Sequence, residues 1–138
     1  MMAAGYSGTP LAKKLGLKPG QRAWFAGMPD SVRAEIDPEA IGLALLDAPD
    51  QGIEAAHVFV TTRIDLERQV AQLHPRLAPD GMLWVSWPKK AAKMPTDVTE
   101  DVVRAVALPT GLVDVKVCAV DEIWSGLKLV IRKALRTA

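Results

Sequence analysis

Short apolar runs, separated by glycine and proline, alternate along this chain with segments of helical periodicity. Residues 23–27 (AWFAG) form an apolar run that ends at a glycine, and Pro29 follows. Residues 57–61 (HVFVT) are β-branched and aromatic, and residues 82–87 (MLWVSW) form a third run of this kind. Continuous apolar runs of this length are typical of strands buried on both faces, as in parallel sheets. The pattern therefore predicts three strands of a parallel sheet.

The segment between the second and third of these runs has the pattern of a helix. Thr62 stands at the N-cap position with Asp65 three residues later, and apolar residues then recur at helical intervals from Ile64 to Leu77. Another helix, which carries three valines, is predicted between the third strand and Gly111. A strand, a helix and a strand in this order form the crossover that connects parallel strands. We therefore expect helices to flank the sheet.

The carboxyl-terminal part of the chain alternates between apolar and polar residues in two segments. These segments are residues 113–119 and residues 127–131, and the loop predicted between them contains Trp124, Ser125 and Gly126. Alternation with a period of two predicts an antiparallel hairpin. The expected fold class is thus α/β, a small Rossmann-like and mostly parallel sheet with flanking helices and a C-terminal antiparallel hairpin.

One apolar run is ambiguous. Residues 41–46 (IGLALL) would fit either a strand or a buried helical turn, because periodicity does not separate the two in so short a run. We favour a strand. This choice alters where the order of the strands reverses in the sheet.

Composition limits the classes of protein to which the chain can belong. Its 138 residues are enough for one hydrophobic core, so we expect a single domain over residues 1–138. The formal net charge of +1 provides no overall field that would attract nucleic acid or anionic lipid. No apolar run approaches the roughly 20 residues of a membrane span, and no secretion signal is recognised at the start. We expect a soluble, cytoplasmic protein.

Residues that could carry catalysis are sparse. Cys118 is the only cysteine, which excludes an intrachain disulfide, and its place in a strand predicts a buried and inert thiol. The two histidines, His57 and His74, fall at the start of a strand and at the end of a helix, so no metal site is predicted. No serine lies in a nucleophile elbow. We therefore assign no catalytic residue from the sequence.

The topology nevertheless predicts where a ligand would bind. In open parallel sheets, ligands bind beyond the carboxyl ends of the strands, where the loops of neighbouring strands converge. Aromatic walls beside ammonium groups suit a planar anionic ligand or an aromatic-rich protein interface. Trp84 is assigned to the core instead. The candidate ligand-binding residues are Met28, Pro29, Thr61, Thr62, Ser86, Trp87, Lys89, Trp124 and Ser125.

The order of elements resembles a known enzyme family. A helix that leads through residues 77–81 (LAPDG) into an apolar strand, followed by a helix and a closing hairpin, resembles the second half of class I S-adenosylmethionine-dependent methyltransferases. The resemblance implies a glycine-rich cofactor loop after the first strand, whereas this chain has Gly27 followed by Met28 and Pro29. It also implies an acidic residue that holds the cofactor ribose, and Asp47 has the corresponding place. Gly27 and Asp47 are therefore the cofactor-binding residues of this alternative.

Three segments resemble a second family. The opening GYSGTPLAKKLGLKPG, the central WPKK and the late WSGLKLV are similar to a small bacterial family known as domain of unknown function 3052. This resemblance covers nearly the whole chain. It implies a compact, degenerate methyltransferase-like domain, and no activity is carried over from it.

Three functions follow as hypotheses. The first is a non-catalytic ligand-binding or regulatory domain that binds no cofactor, because fold signals persist where the cofactor loop does not. The second is a divergent S-adenosylmethionine-dependent methyltransferase. The third is a protein–protein interaction module in which the hairpin and the basic tail serve assembly, including assembly into a homo-oligomer. The expected partner is a small molecule or a protein, and neither nucleic acid nor a membrane is expected.

Overall fold

A computed structural model describes residues 9–136 of the chain. Its strands are β1 (Arg22–Ala26), β2 (Ala44–Leu45), β3 (Ile53–Phe59), β4 (Leu77–Pro88), β5 (Leu112–Ala119) and β6 (Trp124–Ile131). Its α-helices are α1 (Leu11–Lys14), α2 (Asp30–Ile36), α3 (Pro38–Ile41), α4 (Arg63–Leu73) and α5 (Glu100–Ala107). No helix in this part of the chain is long and apolar enough to cross a membrane.

The six strands form one sheet in the order β2-β1-β3-β4-β6-β5. β1 pairs in parallel with β2 and β3, and β3 pairs in parallel with β4. β6 runs antiparallel to both β4 and β5. The predicted α/β fold, with its mostly parallel sheet and its closing antiparallel hairpin, is confirmed.

Local signals define two of the helix starts. The Thr62 side chain accepts a hydrogen bond from the Asp65 backbone N–H at 3.1 Å, as the cap spacing predicted. α5 begins in the same way, with the Thr99 hydroxyl accepting from the Val102 backbone N–H at 3.2 Å. These caps place the start of each helix next to the carboxyl end of a strand.

The ambiguous segment 41–46 contains both of the elements that were considered. α3 ends at Ile41, Gly42 adopts a left-handed conformation with φ of 85°, and only Ala44 and Leu45 form β2. Gly42 ends the helix because its backbone tolerates positive φ. The strand prediction holds for two residues, which form the edge of the sheet.

Residues 77–81, which were expected to lead from the helix into the third strand, lie within β4 itself. Ile53 pairs with Leu77 and Ala55 pairs with Met82, so two residues of β3 span the same distance as five of β4. β4 therefore has three extra residues, which form a bulge. At Gly81 an added Cβ would lie 2.6 Å from the Ile53 carbonyl oxygen, so the bulge needs a glycine there.

The predicted hairpin loop is also displaced. Trp124, Ser125 and Gly126 belong to β6, opposite the end of β4. The loop lies just before them, where the Asp121 carboxylate accepts hydrogen bonds from the backbone N–H groups of Ile123 and Trp124 at 2.8 Å. These hydrogen bonds from the backbone to a side chain close the turn before Trp124, so β6 begins at Trp124.

Helices cover both sides of the sheet. We call the side packed by α1 and α2 the α1 face, and the side packed by α4 and α5 the α4 face. Trp84 is fully buried on the α1 face, as predicted, and its indole N–H donates to the Leu15 carbonyl at 3.0 Å. Leu66, Val70 and Val103 bury the α4 face. The loops at the two ends of the strands are therefore where a ligand can reach the sheet.

Candidate functional site

The order of the strands reverses between β1 and β3. From β1 the chain moves through α2 and α3 to β2 on one side, and then to β3 on the other side. Such a reversal opens a crevice at the carboxyl ends of the two strands, where open α/β sheets bind their ligands. We call this end of the sheet the carboxyl edge.

Gly27 shapes the β1 side of this crevice. It has a φ of 68°, and an added Cβ would lie 2.9 Å from the Phe59 carbonyl oxygen of β3. Only glycine fits both conditions. Pro29 has φ and ψ of −62° and 147°, which a proline adopts without strain. The turn therefore needs a single glycine, and Met28 and Pro29 are compatible with it.

Asp47 lies at the same edge, beyond β2. The Leu46 backbone N–H donates to the Ala23 carbonyl of β1 at 2.8 Å, which continues the pairing of β2 with β1 to the residue before Asp47. Asp47 is exposed. A carboxylate here is free to accept hydrogen bonds from a ligand that lies across the end of β1.

Thr61 and Thr62 have structural partners at the end of β3. The Thr61 carbonyl accepts hydrogen bonds from the Thr96 hydroxyl at 2.7 Å and from the Asp97 backbone N–H at 3.3 Å. The Asp97 carboxylate in turn accepts from the Arg63 backbone N–H at 2.7 Å. The segment after β4 thus crosses over the end of β3 and forms one wall of the carboxyl edge.

A cavity of about 500 Å³ lies behind that wall. Trp87 forms its buried side, and Lys89 and Lys90 are the charged groups of the lining. The Lys89 ammonium donates to the Asp121 carbonyl at 2.6 Å, which ties it to the β5–β6 loop. The complete lining is Trp87, Pro88, Lys89, Lys90, Met94, Thr96, Val98 and Thr99.

The prediction that Trp87 and Trp124 border the same ligand-binding surface is wrong. Trp87 pairs with Ser125, and Trp124 pairs with Pro88, so the two indoles lie one register position apart and face opposite sides of the sheet. Trp124 is 8% exposed and packs edge-on against Phe59, with ring centroids 5.1 Å apart. It covers the α1 face and does not border the cavity.

Ser86 is also unavailable to a ligand, because it is fully buried. Its hydroxyl lies 2.7 Å from the His57 Nε2, and the His57 ring stacks on Phe59 at 4.5 Å between centroids. Burial lowers the pKa of His57 to about 3, so the imidazole is neutral at pH 7. The pair is a buried hydrogen bond, and the Ser86 side chain presents no exposed surface to a substrate.

The contact between His57 and Ser86 was not predicted from the sequence. His57 and Phe59 share the α1 face of β3, and Ser86 pairs with Phe59. The alternation of side chains along each strand could have placed both groups on one face. The register of the two parallel strands was the missing information.

Cys118 is half-buried, so the predicted burial of its thiol is only partly right. Burial raises the pKa of the Cys118 thiol, and the charges of Lys14 and Lys116 oppose this shift. The thiol is therefore protonated at neutral pH, which is consistent with an unreactive cysteine.

No protein-family model matches the chain, and no curated protein sequence matches it. The similarity to domain of unknown function 3052, and the bacterial origin it implies, therefore remain predictions.

Solved structures do match. A TehB-like S-adenosylmethionine-dependent methyltransferase from Corynebacterium glutamicum is 11% identical, with a TM-score of 0.55 over 94% of this chain and 91% of that one. A ribosomal protein L11 methylase from Lactobacillus delbrueckii is 12% identical, with a TM-score of 0.54 over 88% and 75%. The magnesium protoporphyrin IX methyltransferase of Synechocystis, solved with bound S-adenosylmethionine, is 11% identical, with a TM-score of 0.58 over 87% and 74%.

These matches correct one expectation. The expectation that the chain has no cofactor is contradicted, because its structural neighbours are methyltransferases, including one solved with S-adenosylmethionine bound. The absence of a glycine-rich sequence was a weak argument, since the β1 turn requires glycine only at Gly27. Identities of 10–12% support a shared architecture. The chain has the Rossmann-like fold of S-adenosylmethionine-dependent methyltransferases.

Proposed function

We propose that this chain binds S-adenosylmethionine at the carboxyl edge and acts as a divergent methyltransferase. The observation that supports the proposal is the turn at Gly27 directly after β1, where the strand order reverses, together with the position of Asp47 in the loop after β2, the strand beside β1. A close backbone turn and a carboxylate for ribose hydroxyls are the two features that nucleotide-like cofactors require in folds of this kind.

The chain's residues have separate roles in this proposal. Asp47 accepts hydrogen bonds from the ribose hydroxyls, and the turn at Gly27 brings the backbone of residues 27–29 close to the ligand. Phe59 supports this turn from β3, because its carbonyl oxygen lies where a Gly27 side chain would be. The cofactor, when bound, supplies an electrophilic methyl group on its sulfonium.

The cavity beside Trp87 would hold the methyl acceptor. Its lining combines an indole and aliphatic side chains with Lys89 and Lys90, and the described residues that line it include no carboxylate. Ammonium groups on an apolar wall favour a planar acceptor that carries an anionic group. The other candidate ligand residues, Thr61 and Thr62, shape the wall through their backbone and cap contacts.

Calorimetric titration with S-adenosylmethionine tests the proposal. We expect Asp47→Asn to weaken binding about tenfold, because hydrogen bonds to a charged group contribute roughly 1.5–3 kcal/mol. Asp50→Asn is the matched control, since Asp50 is an exposed carboxylate in the same loop and, among residues 9–136, accepts a hydrogen bond only from the Gln51 backbone N–H. Binding within about twofold of the wild type is expected for this control.

Two results would contradict the proposal. One is no heat of binding with either S-adenosylmethionine or S-adenosylhomocysteine. The other is equal weakening by Asp47→Asn and Asp50→Asn, which would assign the effect to general charge. A protein that binds the cofactor but never converts it, when aromatic carboxylates are supplied as acceptors, would instead support the non-catalytic hypothesis.

A further inference from the structure

A second cavity of about 520 Å³ opens at the other end of the sheet, where β1, β3 and β4 begin. We call it the amino-edge cavity. The turn between α1 and β1 forms one wall, and the ends of three strands form the floor. Its polar and charged lining includes Lys18, Gln21, Glu54, Asp80 and Lys128. The proposed methyltransferase function uses none of these residues.

The charges in this cavity are separated by sign. Glu54 lies on β3 and Asp80 on the bulge of β4, whereas Lys128 lies on β6, on the far side of β4. Lys18 comes from the turn above them. Within residues 9–136, these four side chains form no ion pair with one another at 4 Å or less. Lys18 and Lys128 form the cationic side of the cavity, and Glu54 and Asp80 form the anionic side, where the Glu54 Oε1 already accepts a hydrogen bond from the Arg22 backbone N–H at 2.9 Å.

The cationic side extends onto the last strand. Lys128 pairs directly with Lys116 of β5, and like charges in opposite positions destabilise a sheet. The Lys116 ammonium lies 6.0 Å from the centroid of the Trp84 ring, which partly compensates its charge. Burial, together with the charges of Lys116 and Lys18, lowers the pKa of the Lys128 ammonium.

Arrangements that cost stability locally are expected at functional or strained sites. A bound anion would remove the repulsion among Lys18, Lys116 and Lys128. Phosphate oxygens suit ammonium groups that converge from several elements, because each oxygen accepts more than one hydrogen bond. The carboxylates of Glu54 and Asp80 would accept hydrogen bonds from hydroxyl groups at the other end of the same ligand.

We propose that the amino-edge cavity binds a phosphate ester of a polyhydroxy compound, with the phosphate at Lys18 and Lys128 and the hydroxyl groups at Glu54 and Asp80. This site lies at the opposite end of the strands from the carboxyl edge, so it is independent of the proposed cofactor site. Loss of phosphate-ester binding without loss of S-adenosylmethionine binding is therefore measurable.

Calorimetric titration at low ionic strength with three probes tests the proposal. Ribose 5-phosphate should bind most tightly, inorganic phosphate more weakly, and ribose without measurable heat. Lys128→Gln and Lys18→Gln should each weaken the binding of both phosphates about tenfold. Lys93→Gln removes the same charge at the other end of the molecule, and it should leave all three results within about twofold.

The Asp80→Asn variant distinguishes binding of the phosphate group from binding of the hydroxyl groups. Removing this carboxylate reduces repulsion of the anion, so inorganic phosphate should bind more tightly. The advantage of ribose 5-phosphate over inorganic phosphate should shrink. Because Asp80 is exposed, we expect this substitution to change the free energy of unfolding little.

Three outcomes would overturn the proposal. They are no binding of either phosphate by the wild type at millimolar concentration, equal weakening by Lys93→Gln and Lys128→Gln, and binding of ribose as tight as that of ribose 5-phosphate. A titration of Lys128→Gln and Lys18→Gln with S-adenosylmethionine keeps the two sites apart, because both variants should bind the cofactor as the wild type does.

Discussion

Lowering the pH from 7 to 5 is expected to reduce the free energy of unfolding by about 2 kcal/mol through His57 alone. Burial lowers the pKa of His57 from 6.5 to about 3 in the folded protein. Between these values the unfolded chain binds a proton that the folded chain does not. The contribution of His57 to the free energy of unfolding is therefore fully present above pH 6.5 and is lost as the pH falls toward 3. The loss approaches about 1.4 kcal/mol for each pH unit.

Denaturation by urea at pH 7, 6 and 5 measures this effect. In His57→Gln the titrating group is absent while an amide remains near Ser86, so we expect its stability to change less over the same interval. His74→Gln is the control, because His74 is the other histidine of the chain and lies partly exposed at the end of α4. Parallel pH dependences in wild type and His57→Gln would show that His57 is not the responsible group.

Trp84→Phe is expected to lower the free energy of unfolding by about 3 kcal/mol. The substitution removes the hydrogen bond from the Trp84 indole to the Leu15 carbonyl and leaves that carbonyl buried without its partner. It also opens a cavity among tightly packed side chains of the α1 face. Because Leu15 directly follows α1, the variant should loosen the docking of this helix on the sheet.

Trp24→Phe provides the matched comparison. Trp24 is only partly buried on the α4 face, and its indole Nε1 is buried without a hydrogen-bond partner in the described residues. Removing an unpaired donor offsets part of the lost packing, so we expect a loss below about 1 kcal/mol. Guanidinium denaturation at pH 7.5 measures both variants. Equal losses for the two would contradict the role assigned to the Trp84 bond.

The buried face around His57 and Trp84 also bears on function. Phe59 stacks on His57, packs against Trp124 and presents the carbonyl that meets Gly27. The shape of the crevice at the carboxyl edge therefore depends on this aromatic group. Acid conditions that charge His57 should therefore lower stability and, if the cofactor proposed above binds at this edge, weaken its binding as well.

Local patterns alone were sufficient for much of the architecture. The apolar runs that became β1 and β3, the Thr62 cap of α4 and the alternating residues of the hairpin each depend on neighbours within a few positions. Interactions of such short range can be inferred from one sequence, because the periodicity of apolar side chains indicates which face of a helix or strand is buried. The position of Gly27 directly after β1 also followed from this pattern.

Tertiary structure decided the remainder, because it depends on the register between strands that are distant in the chain. Register placed His57 beside Ser86, turned Trp87 and Trp124 to opposite faces and opposed Lys116 to Lys128. A shift of one residue would have reversed each of these results. The bulge at residues 78–81 and the amino-edge cavity likewise arise only where β3, β4 and β6 meet. The sequence alone thus determined the elements and their order, and only packing between strands determined which side chains share a site.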